Sequence, residues 1–231
     1  MASSSSKEIE VGKARVMDLG NESKVLYIPR LVAPETTWKW FNHLDKKLPW
    51  IRPSIHASGR TIRQPRDVCY VADNGIAAYK YSGFRPRAHS WEEFPLLKEI
   101  LNKVCEAIPG SQFNSVLLNR YQTESDSVSW HADNEALYGK TPEIASLTLG
   151  GEREFLLRRT PTKLKDVMEP EGSAKKRLKM TAPQQLHSFV LKHGSLLVMR
   201  GYTQRDWQHS VPKTSKASAP RINLTFRYVL S

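Results

Sequence analysis

The sequence predicts an α+β chain: a β core of sandwich or jelly-roll type with helices packed against it. Three observations carry this. Short β-rich runs recur from residue 113 onward, at 113–121, 128–131, 144–149, 154–157, 189–191, 195–199 and 222–230, separated by Gly, Pro and charged turns. Two earlier segments carry apolar residues at helical spacing, and each has one face to bury. The chain has 231 residues, 39% of them hydrophobic, which is enough for one elaborated domain with a real core.

Residues 1 to about 20 are Ser-rich and polar with no sustained period, so they are expected to form a mobile leader before a domain over 21–231. Val25-Leu26-Tyr27-Ile28 reads as a strand. Pro34-Glu35 then opens a helix with Trp38, Phe41 and Leu44 on its buried stripe, ending before Pro49. A second helix is expected from the Ser90 to Glu93 capping box, with Leu97, Ile100, Leu101, Val104 and Ile108 inward and Pro109-Gly110 as its stop. Between Arg158 and Gln185 the β pattern gives way to a Lys-, Pro- and Glu-rich stretch, which reads as a basic surface insert at about 158–185.

Lys and Arg number 35 against 23 Asp and Glu, a net charge of +12, which makes a polyanion a natural partner and a merely basic surface the competing reading. Cys69 and Cys105 are too few and too isolated for a disulfide scaffold and fit a reducing compartment. No apolar run has the length of a signal core or a membrane span, so neither secretion nor membrane insertion is expected. Lys175-Lys176-Arg177 suits a solvated face better than an import signal.

Of the seven histidines, His43, His56, His89, His187 and His193 have ordinary structural or solvated readings. His131 differs. In Trp130-His131-Ala132-Asp133, positions i and i+2 of a strand share a face, so His131 and Asp133 can reach one metal ion. His209, in Trp207-Gln208-His209-Ser210-Val211-Pro212, offers a third ligand. Two histidines and a carboxylate suit a non-haem Fe(II) oxygenase, and zinc accepts the same set. In Arg221-Ile222-Asn223-Leu224-Thr225-Phe226-Arg227, two guanidinium groups alternate with apolar residues. That is either an exposed edge strand or, beside iron, a clamp for a small dicarboxylate such as 2-oxoglutarate.

Taken together, HxD, a distant WxHSVP-like His and RxNxTxR resemble the AlkB family of Fe(II)/2-oxoglutarate-dependent nucleic-acid demethylases over about residues 60–230. The resemblance implies a double-stranded β-helix, with His131, Asp133 and His209 holding Fe(II). It implies that Arg221 and Arg227 bind the two carboxylate ends of 2-oxoglutarate, assisted by Asn223, Asn119 and Tyr121. The implied reaction consumes O₂ and 2-oxoglutarate, releases succinate, and removes an N-methyl group from 1-methyladenine or 3-methylcytosine as formaldehyde. The substrate is alkylated DNA, with RNA as an additional or alternative one, and the compartment the nucleus with the cytoplasm as a second. A monomer is expected.

Tyr81 resembles the family's base-stacking ring and Tyr79 its polar contact, and ordinary strand aromatics are the competing reading. Glu135 counts among the expected substrate contacts. The basic run 59–66, ending in Arg66, suits phosphate contacts, against a solvated loop. Two departures stand out. Asn134 replaces a second acidic residue found in many DNA-repairing relatives. Ala57-Ser58-Gly59 replaces the bulky finger of duplex-active members, with only Ile62 nearby as a wedge, which favours single-stranded or locally melted substrate. A dioxygenase acting on protein side chains and a catalytically dead nucleic-acid reader are the alternative functions.

Overall fold

The computed structural model describes residues 13–57, 60–76, 86–160, 185–215 and 219–230, of which 55–57 and 60 are described as backbone only. Tyr79, Tyr81 and most of the expected insert lie outside the described residues. Chain order is β1 (Arg15–Asp18), β2 (Lys24–Ile28), α1 (Pro34–Lys47), β3 (Ser54–Ala57), β4 (Arg60–Arg63), β5 (Asp67–Ala72), β6 (Ala88–His89), α2 (Pro95–Ala107), β7 (Ser115–Tyr121) and β8 (Val128–His131). It continues with β9 (Ile144–Gly150), β10 (Arg153–Arg159), β11 (Leu186–Leu191), β12 (Leu196–Arg200), the single-turn α3 (Thr203–Asp206), β13 (Trp207–Val211) and β14 (Arg221–Arg227).

Among the described residues the strands form an eight-stranded sheet in the order β1-β2-β12-β9-β14-β7-β5-β6, a four-stranded sheet in the order β11-β10-β13-β8, and the β3–β4 hairpin. The pairings are antiparallel except β5 with β6. This is the expected jelly roll, with both long helices packed outside the larger sheet.

Two apolar layers follow from alternation along the central strands. Ile222, Leu224 and Phe226 of β14 join Val116 and Leu118 of β7 and Leu147 and Leu149 of β9 against Trp40, Leu44, Leu97, Ile100 and Val104 of the helices. The opposite faces of the same strands look toward the smaller sheet, where Tyr121, Phe155, Leu157, Leu197, Met199 and Trp207 form a second cluster. β14 therefore lies between β9 and β7, and all seven of its residues are buried, which overturns the edge-strand reading. Where β9 turns into β10, Gly150 has φ +84°, and a Cβ there would lie 2.3 Å from the Pro220 carbonyl and 2.6 Å from the Phe41 ring. Only glycine lets α1 approach the sheet this closely.

The structure corrects several expectations. The leader was expected to reach about residue 20, yet Arg15–Asp18 already pairs with β2. All four of its side chains are exposed, so backbone pairing forms the strand with no hydrophobic period to announce it. The buried face of α1 is Thr37, Trp40 and Leu44; Trp38 is 44% exposed and stacks on His193 at 4.0 Å. Aromatics at 38, 40 and 41 allow two helical phases, and burial selects the one that seats Trp40. The Ser90 N–H does donate to Glu93 Oε1 at 2.9 Å, but it closes a turn, and α2 begins at Pro95, a residue suited to a helix's first position.

Behind β5 and β7, Asp67 accepts from Arg52 Nε at 2.6 Å, from Arg120 Nη2 at 2.9 Å and from the Gln122 amide. Burial alone would raise the Asp67 pKa, but hydrogen bonds from Arg52, Gln122 and Arg120 outweigh it and hold it below the usual carboxylate value. A folded-state pKa depressed in this way contributes stability above the unfolded value of about 3.8, lost as pH falls through the folded one. Asp67→Ala is expected to destabilise the protein by about 2 kcal/mol at neutral pH, because Arg52 and Arg120 each lose one carboxylate partner and keep only the other, Asp126 and Asp45 respectively. Urea unfolding of both proteins should show that gap closing below about pH 4; a gap independent of pH would remove the ionic explanation.

Candidate active site

Among the described residues, His131, Asp133 and His209 form a group able to hold a metal, with one ligand atom from each lying within 4.8 Å of the others. β8 and β13 bring the histidines together: His131 and His209 are direct cross-strand partners, with ring centroids 4.2 Å apart. His131 Nδ1 lies 2.8 Å from the Ser129 carbonyl, which can only accept. Nδ1 therefore carries the proton and Nε2 is left with a lone pair for a metal. His209 stacks on Phe155 at 5.4 Å, and burial together with His131 lowers its pKa to about 3. It stands neutral, as a ligand must.

Asp133 is buried but does not lie on a strand. β8 ends at His131, so the two side chains the i, i+2 argument picks out do lie together, but by another geometry. Arg227 holds the carboxylate through Nη2 at 2.7 Å and Nε at 3.2 Å, both to Oδ2. Burial would raise the Asp133 pKa, but Arg227, His209 and His131 together drive it far below the normal range. Oδ1, 3.9 Å from His131 Nε2, is on the side facing the histidines.

The same cavity is lined by Asn119, Tyr121, Arg221, Asn223 and Arg227, and also by Arg66, Ser146, Thr225 and Phe155. Its lining includes three arginines, Arg66, Arg221 and Arg227. Arg221 is 1% exposed and donates from Nη2 to Thr148 Oγ1 at 2.9 Å, while its Nε and Nη1 are buried without partners. Burial pushes the Arg221 pKa down, and the neighbouring Arg153 adds to this against the opposing effect of Tyr121. Buried donors on an unneutralised cation are costly, and a carboxylate satisfies both their charge and their geometry. The donor set thus fits a small dicarboxylate, and two neutral imidazoles with one carboxylate fit Fe(II).

Besides Arg227, held by Asp133, and Arg221, held in part by Thr148, the two expected asparagine binders also have part of their capacity engaged by the protein. Asn223 Nδ2 donates to Ser146 Oγ at 2.8 Å and to the Leu147 carbonyl at 3.0 Å, so this amide orders the cavity wall. Asn119 Oδ1 accepts from Arg66 Nε at 2.7 Å. This corrects the reading of Arg66 as a phosphate contact: it is buried, it also donates to the Ser127 carbonyl, and it belongs to the cavity. A basic run cannot show which of its members turns inward. Within that run Arg60–Arg63 is strand rather than loop, as β4, on which Ile62 is 47% exposed. Glu135 is half-buried with Oε2 unpartnered, and burial, with Asp133 nearby, raises its pKa. Sequence reasoning missed Ser146 and Thr148, although Ser and Thr alternating with Ala and Leu in a buried strand was a usable signal.

The 2OG-Fe(II) oxygenase superfamily model matches residues 24–227. The chain belongs to this superfamily. Within it, the oxygenase is 54% identical over 222 residues to the DNA oxidative demethylase ALKBH2 of Arabidopsis thaliana, covering 94% of this chain and 69% of that protein. It is 37% identical over 210 residues to human alpha-ketoglutarate-dependent dioxygenase alkB homolog 3, covering 90% of this chain and 66% of that one. Human ALKBH2 is 31% identical over 193 residues, at 82% and 67% coverage. The chain thus spans about two thirds of these relatives and stands in the AlkB family. The solved structure of OsALKBH1 aligns over 93% of this chain and all of that one, with a TM-score of 0.51 at 16% identity, and supports the fold. Membership makes this oxygenase an Fe(II)- and 2-oxoglutarate-dependent dioxygenase that consumes O₂.

Proposed function

We propose that this oxygenase removes N-methyl groups from alkylated nucleic acid, acting on 1-methyladenine and 3-methylcytosine in DNA and also in RNA. The observation that carries the reading is a metal-ligand triad sharing one cavity with the buried, half-satisfied Arg221. When bound, Fe(II) with 2-oxoglutarate and O₂ supplies the oxidation that hydroxylates the methyl carbon, after which the adduct loses formaldehyde. His131, Asp133 and His209 hold the metal. Arg221 anchors the distal carboxylate beside Tyr121, and Arg227 keeps the Asp133 carboxylate aimed at the metal. Glu135 and, outside the described residues, Tyr79 and Tyr81 contact the extruded base.

Among the described side chains of the β3–β4 hairpin Ile62 is an exposed apolar residue, a modest wedge, so single-stranded or locally melted substrate is favoured. One chain supplies every group of the triad and cavity, so a monomer is the working unit. A DNA substrate calls for the nucleus, and action on RNA extends this to the cytoplasm.

With Fe(II), ascorbate and 2-oxoglutarate, a single-stranded oligonucleotide carrying 3-methylcytosine should lose one methyl group by mass spectrometry, and the same lesion in a duplex should react several-fold more slowly. Persistence of the lesion while 2-oxoglutarate is consumed would defeat the substrate assignment and point to a protein side chain. Equal rates on both forms would defeat the strand preference.

A further inference from the structure

The ligand Asp133 presents a problem that the fold has to solve. It follows the last residue of β8 by two positions and is buried, so its backbone N–H has neither a ladder partner nor water. The group that satisfies it is the side chain of Gln204, which is 1% exposed and whose Oε1 accepts that N–H at 2.9 Å. The other end of the amide is oriented as well, with Nε2 directed to Met199 Sδ at 3.3 Å.

Gln204 is itself firmly seated. It lies in α3, which runs without a break into β13 and its ligand His209. Thr203 Oγ1 donates to the Arg200 carbonyl, and Asp206 Oδ2 accepts from Asn21 Nδ2 at 2.6 Å in the β1–β2 turn. Against that turn, Gly201 has φ +64°, and a Cβ there would meet the Glu22 carbonyl at 1.9 Å. The N-terminal hairpin thus braces α3, and α3 reaches the metal ligand.

We infer that Gln204 is a positioning residue for the metal: it fixes the main chain of Asp133 where the strand has ended, while Arg227 fixes Oδ2. Asp133 is therefore held at two points, which leaves Oδ1 toward the histidines. The inference rests on the metal-site reading above. Partners that orient metal ligands typically change metal affinity by about 10- to 100-fold when removed.

The test compares wild type, Gln204→Met and His131→Ala for Mn(II) affinity by electron paramagnetic resonance, Co(II) absorption, and the unfolding midpoint without metal. Methionine matches the length of glutamine and lacks the acceptor. Gln204→Met should bind Mn(II) at least about tenfold more weakly and shift the Co(II) bands, with 2-oxoglutarate affinity little changed. A merely structural residue would lower the unfolding midpoint and leave the Mn(II) affinity of the folded protein untouched. That result, with His131→Ala losing the metal, overturns the inference alone. If His131→Ala also binds as wild type, the metal-site reading falls instead. Should Gln204→Met fail to fold, Gln204→Asn, which is polar but one methylene short of Asp133, carries the same expectation.

Discussion

His209→Ala is expected to lower kcat/KM for demethylation by on the order of 10³-fold or more, a loss of about 4 kcal/mol of transition-state stabilisation. His209 is buried, pairs directly with His131 across β13 and β8, and packs its ring on Phe155. With its pKa near 3 it enters the site already neutral, so no proton has to leave it when a metal binds at pH 7. Removing it leaves one imidazole and one carboxylate, too few to hold Fe(II) against water. Iron per chain should fall from about one to near zero when measured by elemental analysis. The 2-oxoglutarate anchor should survive, because Arg221 is held separately by Thr148. Retention of activity and iron in the folded variant would mean that the ligand triad is misassigned.

The parts legible in the sequence are those where local chemistry and tertiary position agree. His131, Asp133, His209 and the RxNxTxR strand carry residue types that a β-rich core does not otherwise need, so they stand out. β14 shows the limit of that logic. Its alternation fits an edge strand as well as a central one, and only pairing with both β9 and β7 makes the polar face a cavity wall. β5 was not read as a strand because every one of its residues is buried, which removes the two-residue period. Arg66 reads as a phosphate contact and Gln204 carries no signal for a related reason: residue type alone does not reveal whether a polar side chain turns to solvent or inward, to Asn119 in one case and to the Asp133 main chain in the other.

Arg221→Met should weaken 2-oxoglutarate binding at least about a hundredfold, since truncating one partner of a buried charge pair costs about 3 kcal/mol or more. Arg221→Lys should recover only part of this, because an ammonium keeps the charge but not the two parallel donors. Folding should respond in the opposite direction. Without a carboxylate, Arg221 is a fully buried cation with two unpartnered nitrogens and a neighbouring Arg153, while methionine has no charge to desolvate. The unfolding midpoint of the cofactor-free variant should therefore equal or exceed that of wild type. Adding 2-oxoglutarate should raise the midpoint of wild type but not of Arg221→Met. Calorimetric titration and thermal unfolding check the two halves independently. Unchanged 2-oxoglutarate affinity would mean that the orphaned donors belong to some other anion, and a large loss of cofactor-free stability would mean that Arg221 serves the fold before it serves the site.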